Sequence, residues 1–232
     1  MSASEEYFRR GLYDVIKRDA EDLGKAAIET INLYGNGIFV QAFTTASTFY
    51  GDNKPLASVG HTRPDGGTAQ SNASSTSIAL SEANLETGII ALKQQKGGVG
   101  QKLSTGNARI TLMVQEAQEK EAVIITDSTR RSATANNDLN WYIGKVNVYV
   151  NPWIGTDVTD LDGNAGSDTA WHLFDMDQHG LIMVYERRPG YKMWEDDDKD
   201  VMYNKVKFSV VAGWKHWYAT WHSKGDASAY SG

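Results

Sequence analysis

Four groups of residues are of types that chemistry could use. Gly97-Gly98-Val99-Gly100-Gln101-Lys102 carries the glycines and the lysine of a phosphate loop, and histidines stand at 61, 172, 179, 216 and 222. Asp175, Asp177 and Glu186 are candidate paired carboxylates, and Trp214, Trp217, Tyr218 and Trp221 make an aromatic cluster. A phosphate loop presents backbone N–H groups where a strand turns into a helix, and its lysine precedes Ser or Thr. Here the glycines follow a helical stripe and Lys102 precedes Leu103, so that reading fails. Zinc requires three or four converging ligands, and no two histidines stand at i, i+4. They are expected to be structural or exposed. A glycosidase sets an acid and a base or nucleophile on either side of a sugar bond, but a chain with 29 Asp and Glu offers such pairs on any solvated surface. HExxH, GxSxG and GxGxxG are all missing from the sequence, and no catalytic residue, cofactor or metal is assigned.

The tryptophans are harder to set aside, because aromatic platforms bind sugars and stack bases. A carbohydrate-binding module or hydrolase built on them is the reading from a different functional class. Packing in the core or at a subunit interface is the stronger one: aromatic side chains are enriched at interface centres, and 16 of the 24 aromatics follow residue 140.

The elements that would position these residues come from periodicity. Leu12, Ile16, Ala20, Leu23, Ala27, Ile31 and Tyr34 recur at three and four, one stripe of a long amphipathic helix within residues 5–43. Unbroken, it would span about 58 Å, with Gly24, Gly35 and Gly37 as places for a kink or an end. Residues 50–77 are rich in Gly, Pro, Asn and Ser and read as an exposed loop. Ser81 reads as the N-cap of a helix over 82–95, carrying Leu85, Ile89 and Leu92. Ile110, Leu112 and Val114 alternate as a strand, followed by a short helix in QEAQEKEA. Val146, Val148 and Val150 read as another strand, and Val206, Phe208 and Val210 oppose Lys205 and Lys207 on a third. Leu181 to Tyr185 reads as a strand buried on both sides, with Arg187-Arg188-Pro189-Gly190 as the turn after it. The acidic run Glu195 to Asp200 reads as a solvated tip linking two strands; it lacks the ligand spacing and the glycine of a calcium loop.

The chain has 232 residues, 41% hydrophobic, enough for one large core or two modest ones. Its 23 Lys and Arg against 29 Asp and Glu leave a net charge of −6, which argues against nucleic-acid binding by broad counterion release. With no Cys, disulfides and thiolate metal sites are excluded, and the composition suits a reducing interior. No stretch reaches 18 apolar residues and the charged opening is unlike a signal peptide, so no membrane partner is expected.

Taken in order, these segments resemble the major capsid proteins of tailed bacteriophages with the Hong Kong 97-type fold, specifically the Mu-like head-subunit group. The resemblance is carried by Asp14 and Leu23-Gly24-Lys25-Ala26-Ala27 on the long helix, then by Gly51-Asp52, Pro55-Leu56, His61, Gly66-Gly67-Thr68 and Ser71-Asn72. Leu80-Ser81, Gly100, Val114 and Ala117 follow. Asn151-Pro152-Trp153, Ala170-Trp171 through Phe174 and Asp175, Tyr185 to Pro189, Val206 to Val211 and Gly213-Trp214 complete it, over roughly residues 6–225.

The resemblance implies an α+β shell subunit. Residues 1–77 (spine helix and following loop) and 178–212 (sheet) would be peripheral domain, 78–177 axial domain, and 213–232 a return to the axial domain and a tail. It implies a non-enzymatic virion protein, made in the host cytoplasm, that self-associates into pentamers and hexamers of an icosahedral shell around double-stranded DNA held non-specifically. An encapsulin-like nanocompartment shell is the alternative within the same fold. The family's N-terminal arm and extended loop have no counterpart ahead of the helix, which reads as truncation and would leave this chain a monomer or small oligomer. Assembly contacts are expected at Arg187 and Arg188, at Glu195, Asp196, Asp197 and Asp198, and at Trp214, Trp217 and Trp221.

Overall fold

The computed structural model describes residues 2–4, 13–44, 52–103, 109–130, 138–196, 198 and 201–230. The chain divides into two compact units, one of residues 1–35 and 183–212 and one of residues 36–182 and 213–232.

The first unit holds most of helix α1 (Tyr13–Val40) and a three-stranded sheet. Asp14 lies in the first turn of α1, where a carboxylate suits the positive end of the helix dipole. The 28 residues run on through Gly24, Gly35 and Gly37 without a break, a length of about 42 Å. Gly35 has a packing reason: a Cβ there would stand 3.3 Å from the Met183 Cε. The sheet has the order β1 (Ser2–Ser4), β6 (Val201–Trp214), β5 (Leu181–Asp196), with β1 antiparallel to β6 and Ser2, Ala3 and Ser4 opposite Tyr203, Met202 and Val201. Residues 2–4, ahead of the helix, are thus part of the sheet.

The second unit is built on a four-stranded sheet of order β3, β2, β4, β7: Val146–Val150, Ile110–Val114, Trp171–Asp175 and Thr220–Ser223. The β2/β3 pair is parallel and the other two pairs are antiparallel. A parallel pair requires a crossover, and α3 (Glu119–Asp127) supplies it after a 3-10 turn at Glu116–Gln118. Helix α2 (Glu82–Gln94) begins where the Ser81 side chain accepts from the Asn84 N–H. Its Leu85 and Leu92 join Ile110, Leu112, Val114, Ala122, Ile125, Trp171, Leu173 and Trp221 in the largest core. The helix comes so close to the sheet at Gly88 that a Cβ there would lie 2.9 Å from the Leu173 Cδ1 and 3.1 Å from the Trp221 Cε3.

The opposite face of this sheet carries Met113, Phe174, His172 and His222. Phe39 and Phe43, which belong to this unit, cover it with their rings 5.6 and 6.0 Å from His172. Residues 52–77 are a packed segment here, unlike the exposed loop expected from their composition. Leu56, Ala57, Ser58, His61, Asn72 and Ala73 are all buried, and Leu56, Ala57 and Ala73 share a core with Ala42, Phe43, Ala170 and Tyr230. Residues 36–77 belong to the second compact unit.

Candidate functional site

The expected turn at Arg187-Arg188-Pro189-Gly190 does not exist, because β5 runs straight through it. Proline removes a ladder donor, yet β5 is an edge strand, where an outward N–H has no partner to lose. Three contacts fix the register of β5 on β6. The Ser209 hydroxyl donates to the Glu186 carboxylate at 2.8 Å, the Tyr191 hydroxyl bonds the Asn204 side-chain oxygen, and the Trp194 and Tyr203 rings stack at 5.2 Å. As one residue number rises its partner's falls, so the strands are antiparallel. Even residues of β5 meet odd residues of β6 on both sides of Pro189-Gly190, so the alternation passes through without a slip.

That alternation sorts the sheet into two chemical faces. Met183, Tyr185, Tyr191 and Met193 share one with Met202, Val206, Phe208 and Val210; Glu186, Arg188, Lys192 and Trp194 share the other with Tyr203, Lys205 and Lys207. Arg187 and Arg188 are successive residues of one strand and point to opposite faces, so the two arginines cannot grip one acidic partner together. The Lys205 ammonium, with Arg187 and Lys192 beyond it, holds the Lys207 pKa below its usual value. Among the described residues no ion pair involves Arg187, Arg188, Lys192, Lys205 or Lys207.

The acidic run bridges the end of β5, at Asp196, and the start of β6, at Val201. Glu195 and Asp198 are exposed, and Asp197 lies outside the described residues. Basic and acidic charge are thus separated along one hairpin. The strand Leu181 to Tyr185 is not buried on both sides: Met183, Val184 and Tyr185 are exposed. So are Tyr191 (52%), Met193 (52%) and Trp194 (39%).

The tryptophans fare differently. Trp217 is 1% exposed and stacks flat on His61, with ring centroids 4.5 Å apart; Trp221 is 3% exposed and lies 4.7 Å from the Trp171 ring. Both pack inside the second unit and offer no surface to a neighbour, which corrects the expectation of an interface there. Trp214 is half-buried against the core around Leu56. The expected sugar platform does not form, since two of its three indoles are enclosed.

Among the described residues, no grouping of catalytic type forms around Asp175, Asp177 and Glu186. Asp177 pairs with Arg109 at 2.7 Å, Glu186 accepts from Ser209, and the buried Asp175 accepts from the Asp177 N–H at 3.0 Å. His61 is buried with its Nδ1 2.6 Å from Asp52, and His172 and His222 are buried as a pair. Among the described residues, no group of three or more His, Asp or Glu could hold a metal ion, and no helix is long and apolar enough to cross a membrane.

No curated protein matches the chain. Among solved structures, the virus-like particle from Pyrococcus furiosus is similar at 11% identity and a TM-score of 0.33, over 63% of this chain and 54% of that one. The chain spans about half the length of that subunit. Residues 1–223 match the family described as phage capsid protein. That match covers nearly the whole sequence, and the chain belongs to the phage capsid protein family.

Proposed function

We propose that the protein is the major head subunit of a tailed bacteriophage, of Hong Kong 97 type, which self-associates into pentamers and hexamers of an icosahedral shell around double-stranded DNA. Its role is structural, without catalysis or cofactor. The first unit then corresponds to a peripheral domain and the second to an axial domain.

The observation that carries this reading is the β5–β6 hairpin. It keeps Tyr191, Met193 and Trp194 exposed beside a cationic cluster and an acidic tip. A chain that worked alone would be expected to cover such side chains, and exposed apolar groups rimmed by charge suit association between copies. Heterologous contacts that repeat around rotation axes close a shell, and opposite charges at two ends of one hairpin let each copy offer either partner.

The test is the mass in solution by light scattering on a sizing column, with negative-stain microscopy of the peaks. Pentamers, hexamers or shells are expected. A protein that stays at 25.6 kDa across concentration and salt would overturn self-assembly by this chain. Shells that capture a folded enzyme through a short peptide, and no DNA, would replace the head-subunit reading with a nanocompartment.

A further inference from the structure

Three buried polar atoms of the second unit have no hydrogen-bond partner: Asp175 Oδ2, His179 Nδ1 and His216 Nδ1. Unpaired buried polar atoms are rare and costly. Asp175 ends β4, and its other oxygen accepts from the Asp177 N–H at 3.0 Å. His179 stands in the turn between β4 and β5, with its backbone N–H donating to the Asp175 carbonyl at 2.9 Å. His216 follows the end of β6 and lies flat on the Tyr218 ring, with centroids 3.7 Å apart. The Lys215 N–H joins the two segments by donating to the Gly180 carbonyl at 2.8 Å. They meet so closely that a Cβ at Gly180 would lie 2.7 Å from His216 Nδ1 and 2.5 Å from the His216 carbonyl oxygen.

We propose that these two segments form a proton-operated latch, closed while both imidazoles are neutral and opened when His216 takes a proton. The charges around the two rings differ. His179 faces the Asp175 carboxylate. A protonated His179 carries N–H on both ring nitrogens and offers the unpaired Oδ2 a donor, so its charge is held within its own turn. His216 faces His179 and Lys215, both cations in acid, and no carboxylate among the described residues acts on it. Asp177, the other acid of the turn, is taken by Arg109 at 2.7 Å. The groups that favour a charged His216 are the Tyr218 carbonyl and the Tyr218 ring, which sit on its own segment and leave with it. Burial holds both imidazoles below their usual pKa, and an opened His216 returns to a value near 6.5. The latch is therefore fully closed above about pH 6.5, and each histidine that gains a proton on opening makes opening up to about tenfold easier per pH unit below it. It uses neither the His172–His222 pair nor the exposed faces of β5 and β6, and it does not rest on the proposed head-subunit function.

The test is hydrogen–deuterium exchange of the full chain between pH 5 and 7.5, corrected for the intrinsic pH dependence of amide exchange and read at the Lys215 N–H. Its protection is expected to fall at least tenfold from the upper to the lower pH. His216→Gln cannot take the proton and should keep that protection level. His172→Phe, in the other histidine pair, should leave the loss in place. Level protection in the unaltered chain overturns the latch. So does an equal loss in His216→Gln, or a loss abolished by His172→Phe, which would trace it to unfolding of the sheet. Should His216→Gln lack the parent's far-UV circular dichroism at pH 7.5, the exposed Lys215→Gln decides, since it removes a cation facing His216: a smaller loss supports the latch and an equal one overturns it.

Discussion

The Nδ1 atoms of His172 and His222 face each other at 2.9 Å across directly paired positions of β4 and β7, with both rings fully enclosed. The surrounding bonds fix which nitrogen carries the proton. The Thr220 hydroxyl gives its only hydrogen to the Trp217 carbonyl at 2.6 Å, so it accepts from the His222 Nε2–H at 2.9 Å. A neutral His222 then has a bare Nδ1, and His172 must donate to it from its own Nδ1–H. The chain of donors runs His172, His222, Thr220, Trp217, and a further proton has no place in it.

Acid should therefore weaken this fold before any carboxylate titrates. Burial lowers the His172 pKa to about 3 and that of His222 well below its usual value, the charge of His172 adding to the latter. In the unfolded chain both take protons near pH 6.5. Stability is complete above that pH and is lost as pH falls from 6.5 toward 3, by up to about 1.4 kcal/mol per pH unit for each histidine. His172→Phe should lower stability near pH 7.5 by about 1–3 kcal/mol, because His222 loses its donor, yet flatten the decline below pH 6.5. Chemical denaturation between pH 4 and 8 measures both; an unchanged slope would remove the histidine pair as its source.

Asn72 ties the segment after α1 to the end of the chain. It accepts from the Ser58 N–H at 2.8 Å and donates to the Leu56 carbonyl at 2.7 Å and the Thr220 hydroxyl at 3.2 Å, while fully buried. Asn72→Leu strands the buried Ser58 N–H and leaves the Leu56 carbonyl with only the His61 Nε2 at 3.2 Å, so a loss of about 1–3 kcal/mol in urea denaturation is expected. Retention of full stability would mean that residues 52–77 are held by their apolar contacts alone.

Gly88 sets the distance between α2 and the sheet. Alanine raises helix propensity by about 1 kcal/mol, but its methyl meets Leu173 and Trp221 at 2.9 and 3.1 Å in a filled core. Overpacking of this kind costs about 1–3 kcal/mol, so Gly88→Ala is expected to be neutral to mildly destabilising and Gly88→Val strongly so, since its branches extend further into both side chains. A thermal melt that improves for both variants would show that α2 can retreat from the sheet.

The regular elements were legible where burial is one-sided. Leu85 and Leu92 on α2 and Ile110, Leu112 and Val114 on β2 show their period because one face meets the core. The segment around His61 and Asn72 has no period, and its burial comes from bonds to residues nearly 150 positions away, such as Asn72 to Thr220, which no local pattern announces. Arg187-Arg188-Pro189-Gly190 carries turn chemistry but lies on an edge strand, where the penalty that makes proline a strand breaker is absent. Composition drew attention to Trp217 and Trp221 correctly as large apolar groups, but composition does not separate an own core from a neighbour's.

The cationic cluster of β5 and β6, in which Lys205, Arg187 and Lys192 act on Lys207, gives the assembly reading its sharpest test. Arg188 shares its face with Lys192, Lys205 and Lys207, so a charge reversal there subtracts from a cluster that already resists its own charge. If the cluster meets the acidic tip of a neighbouring copy, Arg188→Glu and Lys205→Glu/Lys207→Glu should each block ring or shell formation, and assembly of the unaltered chain should weaken with salt as the Debye length shrinks to about 3 Å at 1 M. Arg187→Glu, at one of the charges that act on Lys207, should weaken assembly and its salt dependence as well. All three variants alter exposed side chains and should melt within about 1 kcal/mol of the parent. Sizing with light scattering at low and high salt reads the outcome. Normal assembly of every variant would move the shell contacts elsewhere on the subunit.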